Sequence, residues 1–507
     1  RRAMATSGTE AERHELSRRE AVSGLALAGL GALLAACRVD HGHDAPGSSP
    51  AANGTPAPLV SVPGSPSASP EATVSAAAPL SQQARYAHLL RRAGFGAGPG
   101  KLDQWLPLSW SVAVDRLVDY ESIANDALDS RLAALKLDLT TALGIQRWWV
   151  LRMAFSARPL EEKMTLFWHG LLTSSLTSAQ PELMLDQNRF FRAHALDHYG
   201  DILKGVTRDP AMMRWLNTAE NKKGHANENY SRELMELFTL GPGNYSEQDV
   251  RESARAFTGL VTRKSGETVL VPAQHDEGQK TFLGRSGNFG PDDIIDIILA
   301  QPAAAPFLAR KLLGFFLSPD PTQASVDTIA GTLTTSDFDI RQAVRALFNL
   351  PEFQDPASYR ALVKSPAELI AGTLRRLDLD ADQSPIPALM PEMGQTLFAP
   401  PNVAGWPGGS AWLNSGTWLA RLNFANALTT NRTAVQLDPA HWPGAEGGTA
   451  QFVDTLADLL VDGNLDGSQR QVLLDFAGSA PADDTWFETQ GRATVYLMLA
   501  LPEYHLS

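Results

Sequence analysis

Beyond residue 80 the apolar side chains recur at intervals of three and four, the period of a helix with one face in a core. Tyr86, Leu89, Leu90 and Ala93 open the series. The run Gly94-Phe95-Gly96-Ala97-Gly98-Pro99-Gly100 then predicts a turn: no Gly-Lys-Ser/Thr follows it and no strand introduces it, so a phosphate loop is excluded. The helical period continues through 115–152. Pro159 starts a helix on which Leu160, Met164, Phe167, Trp168 and Leu171 share a face, while Glu162, Thr165 and His169 point away from it. A helix from Pro181 aligns Leu183, Phe190, Phe191, His194 and His198. Asp209-Pro210, Ser246 with Asp249, and Ser365-Pro366-Ala367-Glu368 carry the cap-and-proline pattern of helix starts. Further helices are predicted over 291–299, 306–317 and 340–350, and only 267–271 reads as β. The pattern predicts a mainly α protein, a large multi-helix body with long irregular loops and at most a small β element. A helical main domain spans 80–430, and a C-terminal helical subdomain over 431–507 packs on it.

One helix carries the densest polar pattern. Over 227–241, Tyr230, Leu234, Leu237 and Phe238 form an apolar stripe; Asn229, Glu233 and Glu236 form a second stripe beside it, with Arg232 further round. Gly241 and Pro242 end the helix. Carboxylates at the edge of an apolar face are costly unless paired, hydrogen-bonded or used in chemistry. His275, Asp276 and Lys280 follow in a polar turn. His194 and His198, four apart, have the spacing of a metal pair; with no third ligand at a standard offset they also read as packing residues.

The N-terminal 80 residues belong to a different class. Arg18-Arg19 precedes an uncharged Ala/Leu/Gly run over 21–34, too short for a membrane span. This resembles a twin-arginine export signal. Leu34-Ala35-Ala36-Cys37 resembles a bacterial lipobox, which implies cleavage before Cys37 and lipidation there, hence an exported, membrane-anchored envelope protein. Residues 37–79, dominated by Pro, Ser, Ala and Gly, read as a disordered tether. Cys37 is the only cysteine, so no intramolecular disulfide and no cysteine-rich zinc site is available. The net charge of -13 argues against a nucleic-acid partner.

A Pro-Trp loop over 393–414 contributes Gln395, Asn402, Trp406, Trp412 and Asn414. Indole faces beside amides suit sugar rings, and the same loop can serve as a stiff lid over helices. Leu501-Pro502-Glu503-Tyr504 echoes Leu350-Pro351-Glu352-Phe353.

Phe167-Trp168-His169-Gly170, Asn227-Glu228-Asn229-Tyr230-Ser231-Arg232-Glu233-Leu234, His275-Asp276 with Lys280, Lys364-Ser365-Pro366 and Pro400-Pro401-Asn402-Val403-Ala404-Gly405-Trp406-Pro407 together resemble the bacterial "domain of unknown function 1800" family. The resemblance runs from about residue 81 to 507. It implies a mostly helical exported protein, with a sulfatase-like envelope protein as functional partner. Where the family pattern reads Gly-Asn-Phe, this chain has Asp197-His198-Tyr199, which sets the His194/His198 pair apart from any shared metal site.

Two functions follow. One is binding of a glycan or partner protein in a polar cleft, through His169, Asn227, Asn229, Arg232, Lys280 and the Pro-Trp loop. The other is a hydrolase in which Glu233, Glu236, His275 and Asp276 supply acid–base catalysis, or His275, Asp276 and Glu233 hold a divalent metal. No Gly-x-Ser-x-Gly elbow and no His-Glu-x-x-His is present, which excludes those standard hydrolase arrangements.

Overall fold

The computed structural model describes residues 79–507, apart from 431, 433, 434, 436, 443, 444 and 482–484. The expected export signal, Cys37 and the expected tether lie outside the described residues. Pro79–Ser507 forms one compact unit, mainly helical, with two small antiparallel hairpins. The first pairs Leu260–Thr262 with Thr268–Leu270 and the second pairs Lys280–Phe282 with Arg285–Gly287. The predicted β run is thus one strand of the first hairpin. No helix among the described residues is long and apolar enough to cross a membrane.

Local signals in the sequence set the helix boundaries. Ser365 accepts from the Glu368 amide while Glu368 accepts from the Ser365 amide, a complete capping box; Ser246 and Asp249 repeat it. Asp209 caps the Pro210–Trp215 helix through the Met212 amide at 2.8 Å. The glycine-rich stretch after Arg92 is a turn, with Gly96 at φ +92° packed against Arg376.

At the centre lies the Pro159–Leu171 helix, packed on Pro181–Ala193 and Ala142–Phe155. Here the sequence-based expectation fails. Glu162, Thr165 and His169 do not point away from the core: all three are buried, because neighbouring elements enclose this helix on every side. Glu162 is made tolerable by Arg152 and Arg192, whose guanidiniums donate to it at 2.7–2.9 Å. The Pro181–Ala193 helix also stops earlier than its apolar period suggests. His194 is its C-cap and His198 precedes the next helix, Tyr199–Thr207. The two histidines therefore do not share a helix face. His194 bonds Asp197, and His198 bonds the Asp337 carbonyl.

Candidate functional site

The stretch singled out in the sequence is helical but not uniformly α. Asn229–Glu233 is α-helix, and Leu234–Thr239 widens into a π-turn. Its hydrogen bonds show the expansion: the Thr239 hydroxyl donates to Leu234 O at 2.6 Å, and the amide of Leu240 reaches Met235 O at 2.9 Å. Single π-turns are rare and gather at functional positions. The wider turn brings Met235 into the core with Leu234 and Phe238, all with no exposed surface. The Tyr199 hydroxyl donates to Phe238 O. On the other side, Tyr230 packs edge-on to Phe257 and bonds Thr207, and Ser253 donates to Ser231 at 3.1 Å.

The acidic stripe stays half-buried. Glu236 accepts from the Tyr245 hydroxyl, whose pKa is pushed up to about 12, first by burial and then by that carboxylate. Glu233 has no hydrogen-bond or ion-pair partner among the described residues. Burial and then the charge of Glu236 raise its pKa, with Arg232 opposing. Arg232 itself is taken by Glu247 and Glu228. One turn beyond Glu236, Leu240 and Asn244 line a cavity of about 410 Å³, completed by Phe307, Arg310 and Lys311 of the Ala304–Phe316 helix. Arg310 donates to Gln323, and Lys311 stands 5.2 Å from the Phe307 ring; neither has a carboxylate partner among the described residues. The arrangement offers carboxylates on the segment before the cavity, and two cations and an aromatic ring in the cavity wall.

The other predicted residues divide among separate tasks. His275 is buried and its Nδ1 pairs with Thr258 O at 2.9 Å. Asp276 is held by Arg255 and by the Gly278 amide, and the guanidinium brings its pKa down to about 2. Lys280 is buried and clamps the same turn through the carbonyls of Asp276 and Gly278. No hydrogen bond or ion pair joins His275, Asp276 or Lys280 to Glu233 or Glu236 among the described residues. The Glu247–Ala256 helix stands between the groups, with Ser253 bonded to the acidic segment and Arg255 to the His275 turn. Direct bonds therefore do not join the residues expected to form one site: His275, Asp276 and Lys280 brace their own turn. Among the described residues no three His, Cys, Asp or Glu side chains gather closely enough to hold a metal ion, so His275, Asp276 and Glu233 do not form the expected metal set, nor do His194 and His198.

The Pro-Trp loop is a lid. Trp406 covers His169 with ring centroids 5.5 Å apart, and Trp149 and Phe398 flank the same imidazole. His169 Nε2 accepts from the Phe398 amide, and burial alone brings its pKa down to about 3. It is a packed, neutral histidine rather than a ligand contact. The Gln395 side chain accepts from Ala367 N, Trp412 is buried, Asn414 caps the Ser415–Thr429 helix, and Asn402 bonds the Ala404 amide of its own turn. Asn227 likewise serves the loop, accepting from the amide of Asn229, which is itself exposed.

A family model described as "Protein of unknown function (DUF1800)" matches residues 88–506. The chain belongs to this family. No curated protein and no solved structure matches it. The family span takes in both the π-turn and the Pro-Trp lid.

Sequence reading missed Asn244, Tyr245, Phe307, Arg310 and Lys311 as cleft residues. Phe307, Arg310 and Lys311 do carry a signal, at i, i+3 and i+4 on one predicted helix. Their meeting with Leu240 and Asn244 is a tertiary fact that no spacing encodes.

Proposed function

We propose that this protein binds a polar ligand, a glycan of the cell envelope, in the cleft between the Leu234–Thr239 π-turn and the Ala304–Phe316 helix. The observation that carries the reading is the half-sheltered Glu233–Glu236–Tyr245 group on a segment whose continuation, Leu240 and Asn244, lines a cavity with Phe307, Arg310 and Lys311. Carboxylates accept sugar hydroxyls, Asn244 offers an amide, and Phe307 offers an apolar surface. The resemblance to export and lipidation motifs supports a ligand outside the cytoplasm, with Cys37 as the membrane anchor. A sulfatase-like envelope protein is the partner that the family resemblance suggests.

Calorimetric titration of the full chain with tri-N-acetylchitotriose and maltotriose tests the reading. At least one sugar should bind, and Glu236→Gln and Phe307→Ala should each weaken that binding roughly tenfold, the loss of one good polar or packing contact. Absence of binding to both sugars, or binding indifferent to both substitutions, would refute it.

A second reading rests on the raised pKa of Glu233. As general acid beside the Glu236 side chain, Glu233 would protonate a leaving oxygen. Reducing ends should then be released from a bound oligosaccharide, with a rate that falls as pH rises through the pKa of Glu233 and disappears in Glu233→Gln. Binding without turnover leaves the protein a binder.

A further inference from the structure

The cavity beyond the π-turn has a charge pattern that narrows the class of ligand. Leu240 and Asn244 form one wall, and Phe307, Arg310 and Lys311 stand in the other, around about 410 Å³. That volume lies within the range of small-ligand sites, about 300–1,000 Å³. No carboxylate lines it, although the chain as a whole has a net charge of -13. Glu233 and Glu236 precede the cavity along the chain and are not part of its wall.

The Ala304–Phe316 helix sets the two cations. Arg310 and Lys311 follow Phe307 by three and four positions, which puts both beside its ring, and Lys311 Nζ stands 5.2 Å from the ring centroid. Elsewhere on the surface, Arg208, Arg341 and Arg345 are each held by carboxylates. Arg310 instead donates to a neutral amide, Gln323 Oε1 at 3.1 Å, and Lys311 has no hydrogen-bond or ion-pair partner among the described residues. Both side chains are exposed. Surrounding atoms still desolvate the Lys311 ammonium enough to lower its pKa, and no neighbouring carboxylate restores it. The helix start adds to this field. Ala303 is an N-cap without a side-chain cap, so the wall includes the positive end of the helix dipole through Ala303 and Pro306. Asn244 spends Nδ2 on the carbonyls of Leu240 and Gly241 at 3.0 and 3.4 Å, which leaves its Oδ1 to accept from a hydroxyl.

We propose that the glycan bound here is acidic, with a carboxylate or sulfate group on a sugar ring held by Arg310 and Lys311 and an apolar sugar face against Phe307. The inference rests on the glycan-binding reading and adds the charge of the ligand to it. Charge-assisted hydrogen bonds are roughly twice as strong as neutral ones, so two cations free of carboxylates gain most from an anionic group. A sugar acid also suits the wall better than a free inorganic anion does, because Leu240, Pro306 and Phe307 offer apolar surface that an inorganic ion leaves unused.

The test titrates the full chain calorimetrically with maltotriose, with its C6-oxidised uronate and with its 6-O-sulfate, three ligands on one sugar skeleton. At least one acidic form should bind about tenfold or more tighter than maltotriose, the gain from a charge-assisted hydrogen bond. A gain confined to the uronate identifies a carboxylate sugar, and one confined to the sulfate identifies a sulfate ester; either supports the proposal. The gap should narrow as sodium chloride is added, since both cations are exposed. It should collapse towards equal affinity in Arg310→Gln and in Lys311→Gln, and stay in Arg189→Gln, which removes an exposed partner of Asp186. Equal binding of all three sugars by the wild-type chain would overturn the acidic assignment and leave glycan binding standing. An acidic preference that survives both cavity substitutions would also overturn it. Absence of binding to all three would remove the glycan reading and this inference together.

Discussion

Glu162→Ala is the most informative single perturbation of the fold. The Glu162 side chain has no exposed surface and receives Arg152 Nε at 2.8 Å, Arg192 Nε at 2.7 Å and Arg192 Nη2 at 2.9 Å. The Trp148 ring lies 5.3 Å from one guanidinium and 4.9 Å from the other. Removing one partner of a buried ion pair costs about 3–5 kcal/mol, because the remaining charge stays buried without compensation. Two arginines are orphaned here, but Asp129 still reaches Arg152 and Asn188 still reaches Arg192, which places the cost near the lower end, about 3 kcal/mol. A body spanning Pro79–Ser507 has an unfolding entropy of roughly 0.9 kcal/mol/K, so the melting temperature should fall by only about 3–4 °C. Urea denaturation is therefore the better assay than the melt, read as a change in midpoint at constant m-value. The sign with pH can also be worked out. Burial raises the Glu162 pKa, but Arg192 and then Arg152 more than offset this and leave it lowered. The stability this group contributes is therefore present above the ordinary glutamate range and is lost as pH falls through the lowered folded value. The substitution should matter at pH 7 and fade in acid. A change below about 0.5 kcal/mol at pH 7 would refute the claim that this carboxylate holds the central helix in place.

Ser365→Ala removes half of a capping box and should cost about 1 kcal/mol by the same urea assay. Asp209, pushed up to about 6 by burial, contributes stability that is fully present below the unfolded aspartate range and is lost as pH rises through about 6. Asp209→Asn, which keeps an effective cap, should flatten the stability profile between pH 4 and 6; an unchanged slope would contradict the burial argument. Trp406→Ala should admit water to His169, so that its imidazole, neutral throughout mild acid in the wild type, titrates at a higher pH by NMR. A resonance that ignores the substitution would show that the loop is not a lid.

Much of this architecture is readable from the chain. The boxes at Ser246 and Ser365, the cap at Asp209 and the turn after Arg92 are local, and each forms where its residues predict. What failed was whatever depended on a second element. Facing of the Pro159–Leu171 helix was misjudged because periodicity assumes one wet side, and this helix has none. The i, i+4 relation of His194 and His198 was lost when the helix ended at Ala193. The π-turn has no sequence marker, and the grouping of Glu233 with His275 was defeated by the intervening Glu247–Ala256 helix. The burial of Arg91 and Arg92 was invisible for the same reason: they look like an ordinary charged last turn until residues hundreds of positions away close over them.

That closure has a cost in time. Backbone pairs tie Ser507 to Leu362 and Lys364 to His505, while the side chains of Arg91 and Arg92 reach Asp462 and Ser358. Arg91 of the first helix thus finds its buried carboxylate partner 371 residues later. A pairing made so late predicts a slow closing step in folding, and a nascent chain whose earliest helix must be shielded while it waits.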